Sequence, residues 1–327
     1  MRSGESVDAI GSFSHRVRPP HRTLRSTRQM AAPAPDLAPA EQIAALRSGC
    51  GVAAPAVGAV DVEGPDAVSL LQNLLTQDLT GLAAGEARRA LLLTPKAKVV
   101  ADLRVVDRGD GRLLLLTEPA AAAPLAAQLV RFRLAAKAEI RETGHWSVVR
   151  LVGPGAASVE LPGTTVAGAL GDLPAVDVVV PTIGLMGSLD AAVRAGAVPV
   201  SEEALEALRV EAGAVRLGHD VDERWMPAEV GLVEAAVSFD KGCFIGQEPV
   251  TRLHRRGHAN RAPRRLVLAG PVAPGAALVQ GDREVGVVTS VAGPPWLDAV
   301  RAIAIARVDL DPAAPLTAGG VAARLAD

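Results

Sequence analysis

Hydrophobic positions recur with two different periods along this chain, and the switch between them divides it. Globular patterning begins near Ala40. After Gly64-Pro65-Asp66, Val68, Leu71 and Leu74/Leu75 fall three to four apart, which predicts a helix. Residues 90–93 and 99–106 are apolar runs separated by Thr94-Pro95-Lys96-Ala97-Lys98, the pattern of a hairpin, and residues 113–117 offer a third strand. Between residues 124 and 136, Leu125, Leu129 and Phe132 mark one helical face. Residues 146–152 and 176–180 read as further strands. A helix over about residues 201–212 has Ser201 as its N-cap, Glu202 and Glu203 in its first turn, and Gly213 as its stop.

From Arg264 onward the period shortens. Apolar runs at 266–268, 285–289, 302–308 and 321–325 are punctuated by Pro and Gly, which predicts a small all-β domain, a barrel or sandwich. Strands and helices mixed without strict βαβ alternation make the remainder α+β. The organisation expected is a disordered tail over residues 1–39, an α+β region of two interleaved domains over 40–262, and the β domain over 263–327. The first thirty residues hold six arginines, five serines and two acids, and Met30 is an alternative start. The longest apolar stretch, residues 176–193, is interrupted by Asp177, Pro181 and Asp190, so no membrane span is expected.

Composition changes the picture at one place. Four lysines stand against thirty arginines, only two cysteines occur, tyrosine is absent and aromatics are 2 %. Yet Lys241-Gly242-Cys243-Phe244-Ile245-Gly246-Gln247-Glu248 sets one of the lysines, one of the cysteines and a phenylalanine side by side. Flanking glycine leaves the thiol uncovered, and a cation or a helix start near Gln247 would favour thiolate over thiol. Cys243 and Lys241 are therefore the candidate reactive pair. Cys50 and Cys243, far apart in sequence, make no disulfide framework and suit a reducing cytoplasm.

Net charge is −2, but no acid occurs between Glu248 and Asp282, and six arginines fill residues 252–265. Such a cationic run fits a phosphate backbone, the carboxylates of an anionic cofactor, or a solvated hinge. Scarce aromatics argue against stacking platforms for single-stranded RNA. His219 with Asp220, Asp222 and Glu223 matches no standard metal-ligand spacing and reads as a polar loop. GxxxxGK[ST], GxGxxG after a strand, GxSxG and HExxH are all missing, which removes support for those enzyme classes.

Three segments in order, Leu91-Leu92-Leu93-Thr94-Pro95-Lys96 with Ala101-Asp102-Leu103-Arg104, then Arg209-Val210-Glu211-Ala212-Gly213, then the Lys241–Glu248 string, resemble YgfZ-like folate-binding proteins. These are relatives of the glycine-cleavage T-protein, aminomethyltransferase. The resemblance implies an α+β fold, a three-domain ring around a central folate pocket that ends in a small β-barrel. It implies tetrahydrofolate or a one-carbon derivative as cofactor, held by Asp102 at the pterin's reactive edge and Arg209 on its anionic part, with Gln247, Glu248 and Arg252 nearby. It implies a role in assembling or maintaining iron–sulfur clusters, hence in tRNA modification, with cluster-assembly factors or client enzymes as partners. Arginines 252–265 would make a weak tRNA contact. The T-protein carries a glutamate that reads the pterin; the corresponding residues here, 181–187, contain no acid. A tetrahydrofolate-dependent aminomethyltransferase is the alternative.

Overall fold

The computed structural model describes residues 36–257 and 259–326; the expected tail falls almost wholly outside them. They open with α1 (Pro39–Ser48), followed by β1 (Gly51–Ala53) and β2 (Gly58–Glu63), which join different sheets. α2 (Ala67–Leu74) buries Ala67, Leu70, Leu71 and Leu74, while Val68, expected on its inner face, is exposed. β3 (Ala87–Leu93) and β4 (Val99–Asp107) form the expected hairpin, with Arg89 opposite Arg104 and Leu91 opposite Asp102. Its turn is closed by the Thr94 N–H donating to Lys98 O at 2.9 Å.

β5 (Arg112–Thr117), α3 (Pro119–Phe132) and β6 (Glu139–Thr143) complete an antiparallel sheet of order β3-β4-β5-β2-β6. α3 begins five residues earlier than the apolar spacing suggested and carries Pro124 inside it. Pro124 lies on the exposed side of the helix, so the carbonyl it leaves unbonded faces water. β7 (Trp146–Val152), β8 (Thr164–Leu170), β9 (Leu173–Pro181), α4 (Leu185–Arg194) and β10 (Val198–Pro199) follow. With β1 the strands among them make a second sheet of order β10-β1-β7-β9-β8. The apolar run 176–193 is thus a strand and a helix, and no described helix is long and apolar enough to cross a membrane.

Four layers result. α2 and α3 cover one face of the first sheet, with Leu71, Leu75, Leu125 and Leu129 fully buried. Its other face packs Ala59, Val106, Leu114 and Leu116 on Val148, Val166 and Val179 of the second sheet. α4 covers the far side through Leu185, Leu189 and Ala192. α5 (Glu202–Ala212) starts at the Ser201 N-cap, whose hydroxyl accepts from the Ala204 N–H, and stops at a left-handed Gly213, as its sequence predicts.

After α6 (Val233–Ala236) and α7 (Gln247–Arg256) the chain enters the β domain. β11 (Arg261–Leu268), β12 (Ala277–Gln280), β13 (Arg283–Ala292), β14 (Val300–Arg307), β15 (Leu316–Ala318) and β16 (Val321–Leu325) close into a six-stranded barrel. The fold is mixed α and β with a C-terminal barrel, as expected.

Candidate functional site

Charged side chains from four elements converge where the two sheets, α5 and the barrel meet. On β3 and β4, Arg89 and Asp102 lie diagonally across the ladder and pair in a fork, Nε to Oδ1 at 2.9 Å and Nη2 to Oδ2 at 2.5 Å. That carboxylate holds the Arg89 guanidinium above its usual range. Arg104, two residues along β4, reaches across to the second sheet and donates to Ala167 O at 3.0 Å. Gly168 gives it room: a Cβ there would sit 3.0 Å from the Arg104 guanidinium. Beside it Arg150 and Asp177 pair in a second fork at 2.7 and 2.8 Å.

The middle of this cluster is electrostatically unfinished. Arg104 makes one hydrogen bond among the described residues, and burial pulls its affinity for the proton down, with Asp177 opposing. Arg216 donates from Nη1 to Glu206 Oε2 at 3.2 Å, but its buried Nε has no hydrogen-bond partner there, and Glu118 Oε1 lies 3.7 Å from it. The side chain of Glu118, the N-cap of α3, accepts no hydrogen bond among the described residues. Burial pushes its carboxyl above the usual range, against Arg216, His219 and Arg150. Glu118 faces Arg216, and Arg150 links Glu118 to Asp177 and Arg104; a carboxylate and two guanidinium groups with spare hydrogen-bonding capacity in one charged cluster fit a ligand carrying both N–H donors and carboxylates.

Arg209 does not belong to that spare capacity, and its expected role must be corrected. Its Nε and one Nη2 proton go to Glu206 at 2.8 and 2.7 Å, the other Nη2 proton to Ser290 Oγ at 2.6 Å. Nη1 donates to Asp220 Oδ2 at 2.6 Å and to Ala214 O. All five donors are used in a network locking α5 to the barrel, so none remains for a cofactor's anion. Asp102 does lie in the cluster, with its charge already matched by Arg89. Gln247, Glu248 and Arg252 are carried on the first turns of α7, and no hydrogen bond or ion pair among the described residues joins them to the cluster. Glu118, Arg104, Arg150 and Arg216 are the residues sequence reasoning missed; Glu118 in particular directly precedes Pro119, the helix start.

The Lys241–Glu248 string forms a pinned loop. Lys241 is anchored at one end, its Nζ donating to Gln72 O, Leu75 O and Gln77 O at 2.5, 2.7 and 3.0 Å. The ammonium thus caps the C-terminal end of α2. This revises its expected role, since its donors are spent on carbonyls rather than on Cys243. Phe244 is buried with Leu93, Ala97 and Val250. Gly246, with φ of +81°, lets the chain lie on the hairpin turn: a Cβ would come within 2.7 Å of Thr94 O. Between these pins Gly242 and Cys243 are exposed, three residues short of the Gly246 cap that opens α7. Cys50, by contrast, is buried against Val52 and Val149, and burial pushes its thiol up.

Burial pulls Lys241 from 10.5 down to about 8, with Asp78 opposing. Between those values the unfolded chain holds a proton that the folded chain has lost, so stability rises with pH across that window. A Lys241→Met protein should lack this rise. Denaturant titrations of both proteins from pH 7.5 to about 10.5 check it; parallel curves would mean that Nζ does not titrate there.

Residues 33–166 match the family described as GCVT N-terminal domain. An aminomethyltransferase from Rubrobacter xylanophilus is 31 % identical over 297 residues, covering 81 % of this chain and 76 % of its own. A tRNA-modifying protein YgfZ from Edwardsiella ictaluri is 29 % identical over 231 residues, covering 62 % of this chain and 66 % of its own. The crystal structure of glycine cleavage system aminomethyltransferase T from Bartonella henselae superposes with a TM-score of 0.77 at 20 % identity, covering 90 % of each chain.

Proposed function

This chain belongs to the GCVT-domain family, and from that premise we propose that it binds a folate in the cluster of Asp102, Arg104, Glu118 and Arg216 and supports assembly or repair of iron–sulfur clusters, with Cys243 as its reactive thiol. Support for the first half is the unfinished electrostatics of the cluster. A reduced pterin offers amino and ring N–H donors, and Glu118 is a half-buried carboxylate to which no described residue donates a hydrogen bond. The folate's glutamate carboxylates suit Arg104 and the orphaned Arg216 Nε. When bound, tetrahydrofolate carries one-carbon units; the chain's own residues bind and orient it.

The observation that carries the second half is Cys243, exposed at the tip of a loop held on both sides by Lys241, Phe244 and Gly246. Such mounting costs backbone freedom and delivers only a thiol to solvent. One thiolate does not complete a cluster's usual four ligands, so the cluster is cargo, with the remaining ligands from a partner. Partners of that kind are iron–sulfur assembly factors or client enzymes, including those that modify tRNA.

Aminomethyl transfer is the second reading, favoured by the aminomethyltransferases among the relatives. Against it stands the acid-free segment 181–187, where Ile183 is 97 % exposed and α4 begins. Two measurements test the folate site and separate the readings in turn. Calorimetric titration with tetrahydrofolate should show binding by the wild type and a loss of about tenfold or more in Glu118→Gln, the size of a charge-assisted hydrogen bond. Equal affinity of the two proteins would move the folate elsewhere. Purified protein given an aminomethyl donor should release no methylenetetrahydrofolate; its release would establish the second reading.

A further inference from the structure

α7 carries a second surface that neither folate nor Cys243 uses. Arg252 and Arg255, three residues apart and so on one helical face, are exposed, and no hydrogen bond or ion pair engages either among the described residues. Acids are absent from the sequence between Glu248 and Asp282; Glu248, four residues before Arg252 on the helix, makes no ion pair with it among the described residues. About 100° round the same helix from Arg255, His254 stacks on Phe239, ring centroids 4.2 Å apart and planes 18° from parallel. One face of the imidazole is thereby covered, and His254 also lines a cleft of about 260 Å³. Apolar Val233, Leu253 and Ala259 line that cleft, together with one carboxylate, Glu234.

These parts are separately ordinary and jointly selective. Guanidinium groups free of protein partners suit phosphates. A flat ring braced from behind by a second ring suits an unstacked base, which no duplex presents. A carboxylate at the cleft wall accepts from a base's amino or ring N–H. We propose that this face of α7 and its cleft form a docking surface for an unpaired stretch of RNA, with phosphates along Arg252 and Arg255 and one base on His254. The scarcity of aromatics had argued against a stacking platform; folding builds one from Phe239 and His254, fifteen residues apart in sequence.

Fluorescence anisotropy with the full chain tests it, using a labelled single-stranded RNA of mixed sequence, the same strand in a duplex, and phosphatidylserine vesicles. The single strand should bind more tightly than the duplex. Arg252→Glu with Arg255→Glu should weaken binding by at least about tenfold and flatten the dependence of log K on log salt by about 1.4, two contacts at about 0.7 each. His254→Ala should weaken it by about 5- to 150-fold while leaving that salt slope unchanged, because a stacking contact carries no counterions. Circular dichroism of each variant confirms that it is folded. Three results would overturn the proposal: no single-strand binding at about 50 mM salt, equal binding of duplex with His254→Ala indistinguishable from wild type, or arginine-dependent binding of vesicles without RNA.

Discussion

An Arg209→Met protein is expected to lose about 3–5 kcal/mol of unfolding free energy, the cost of leaving a buried charge without its partner. Asp220 has no side-chain exposure, and Arg209 only 8 %. The Asp220 carboxylate also accepts from Thr289 Oγ1 and Ser290 Oγ, both at 2.6 Å, and from the Arg216 N–H at 2.9 Å. Those contacts alone do not balance a full charge removed from water. Although burial disfavours its charge, Glu206 and Asp220 hold Arg209 above its usual range. Met fills the space of the side chain's stem and removes only the cation.

Adding Asp220→Asn to that variant should recover a large part of the loss, because the orphaned charge disappears with its partner. Denaturant unfolding of the single and double variants measures both effects. A single-variant loss below about 1 kcal/mol, within the range of surface pairs, would mean that the network is ornamental. Calorimetric titration of the folded variant with tetrahydrofolate separates structure from ligand binding. If Arg209 gripped a cofactor's anion, tetrahydrofolate affinity would fall even in the fraction that remains folded; the network predicts that it does not.

Sequence legibility follows the range of each interaction. The ends of α5 were readable because Ser201 and Gly213 act on backbone groups within one turn. The β3–β4 hairpin and the barrel strands announce themselves through period-two patterning and Pro/Gly punctuation. Arg209 was misread because, of its partners, only Glu206 lies within one helical turn; Asp220 and Ser290, 11 and 81 positions away, complete the network and no local pattern marks them. Lys241 was misread for the same reason, with its carbonyl acceptors more than 160 positions upstream. β8 opens on the β-branched Thr164, Thr165 and Val166, but Ala167-Gly168-Ala169 breaks the apolar run that marks the other strands, and its role shows only when Arg104 crosses to it. Glu118 looks like any helix N-cap until Arg216 arrives from a hundred residues downstream. Local chemistry was therefore visible, and the charge pairing that decides which groups remain free was not.

That distinction governs what a Cys243→Ser protein should do. It is expected to fold with wild-type stability, bind folate as the wild type does, and leave iron–sulfur enzyme activity at the level of a strain lacking the gene. Cys243 is exposed, beside a Gly242 with open space around it, so exchanging sulfur for oxygen should change stability by no more than about 0.5 kcal/mol. Any loss in the cell then belongs to the thiol, since a serine hydroxyl offers no thiolate to iron or sulfur at neutral pH. Two neighbours supply the contrast. Cys50→Ser would place a hydroxyl among Val52, Val149 and Leu151 and cost about 1–3 kcal/mol, yet should support activity as far as it folds. Phe244→Ala would empty the pocket that seats the loop and cost about 3–5 kcal/mol, losing activity together with stability. Aconitase activity in the deletion strain, with each variant supplied at matched soluble level, reads all three. Full restoration by Cys243→Ser would return the cysteine to an ordinary position in a tight loop, and the case for cluster maintenance would then have to rest on the folate cluster alone.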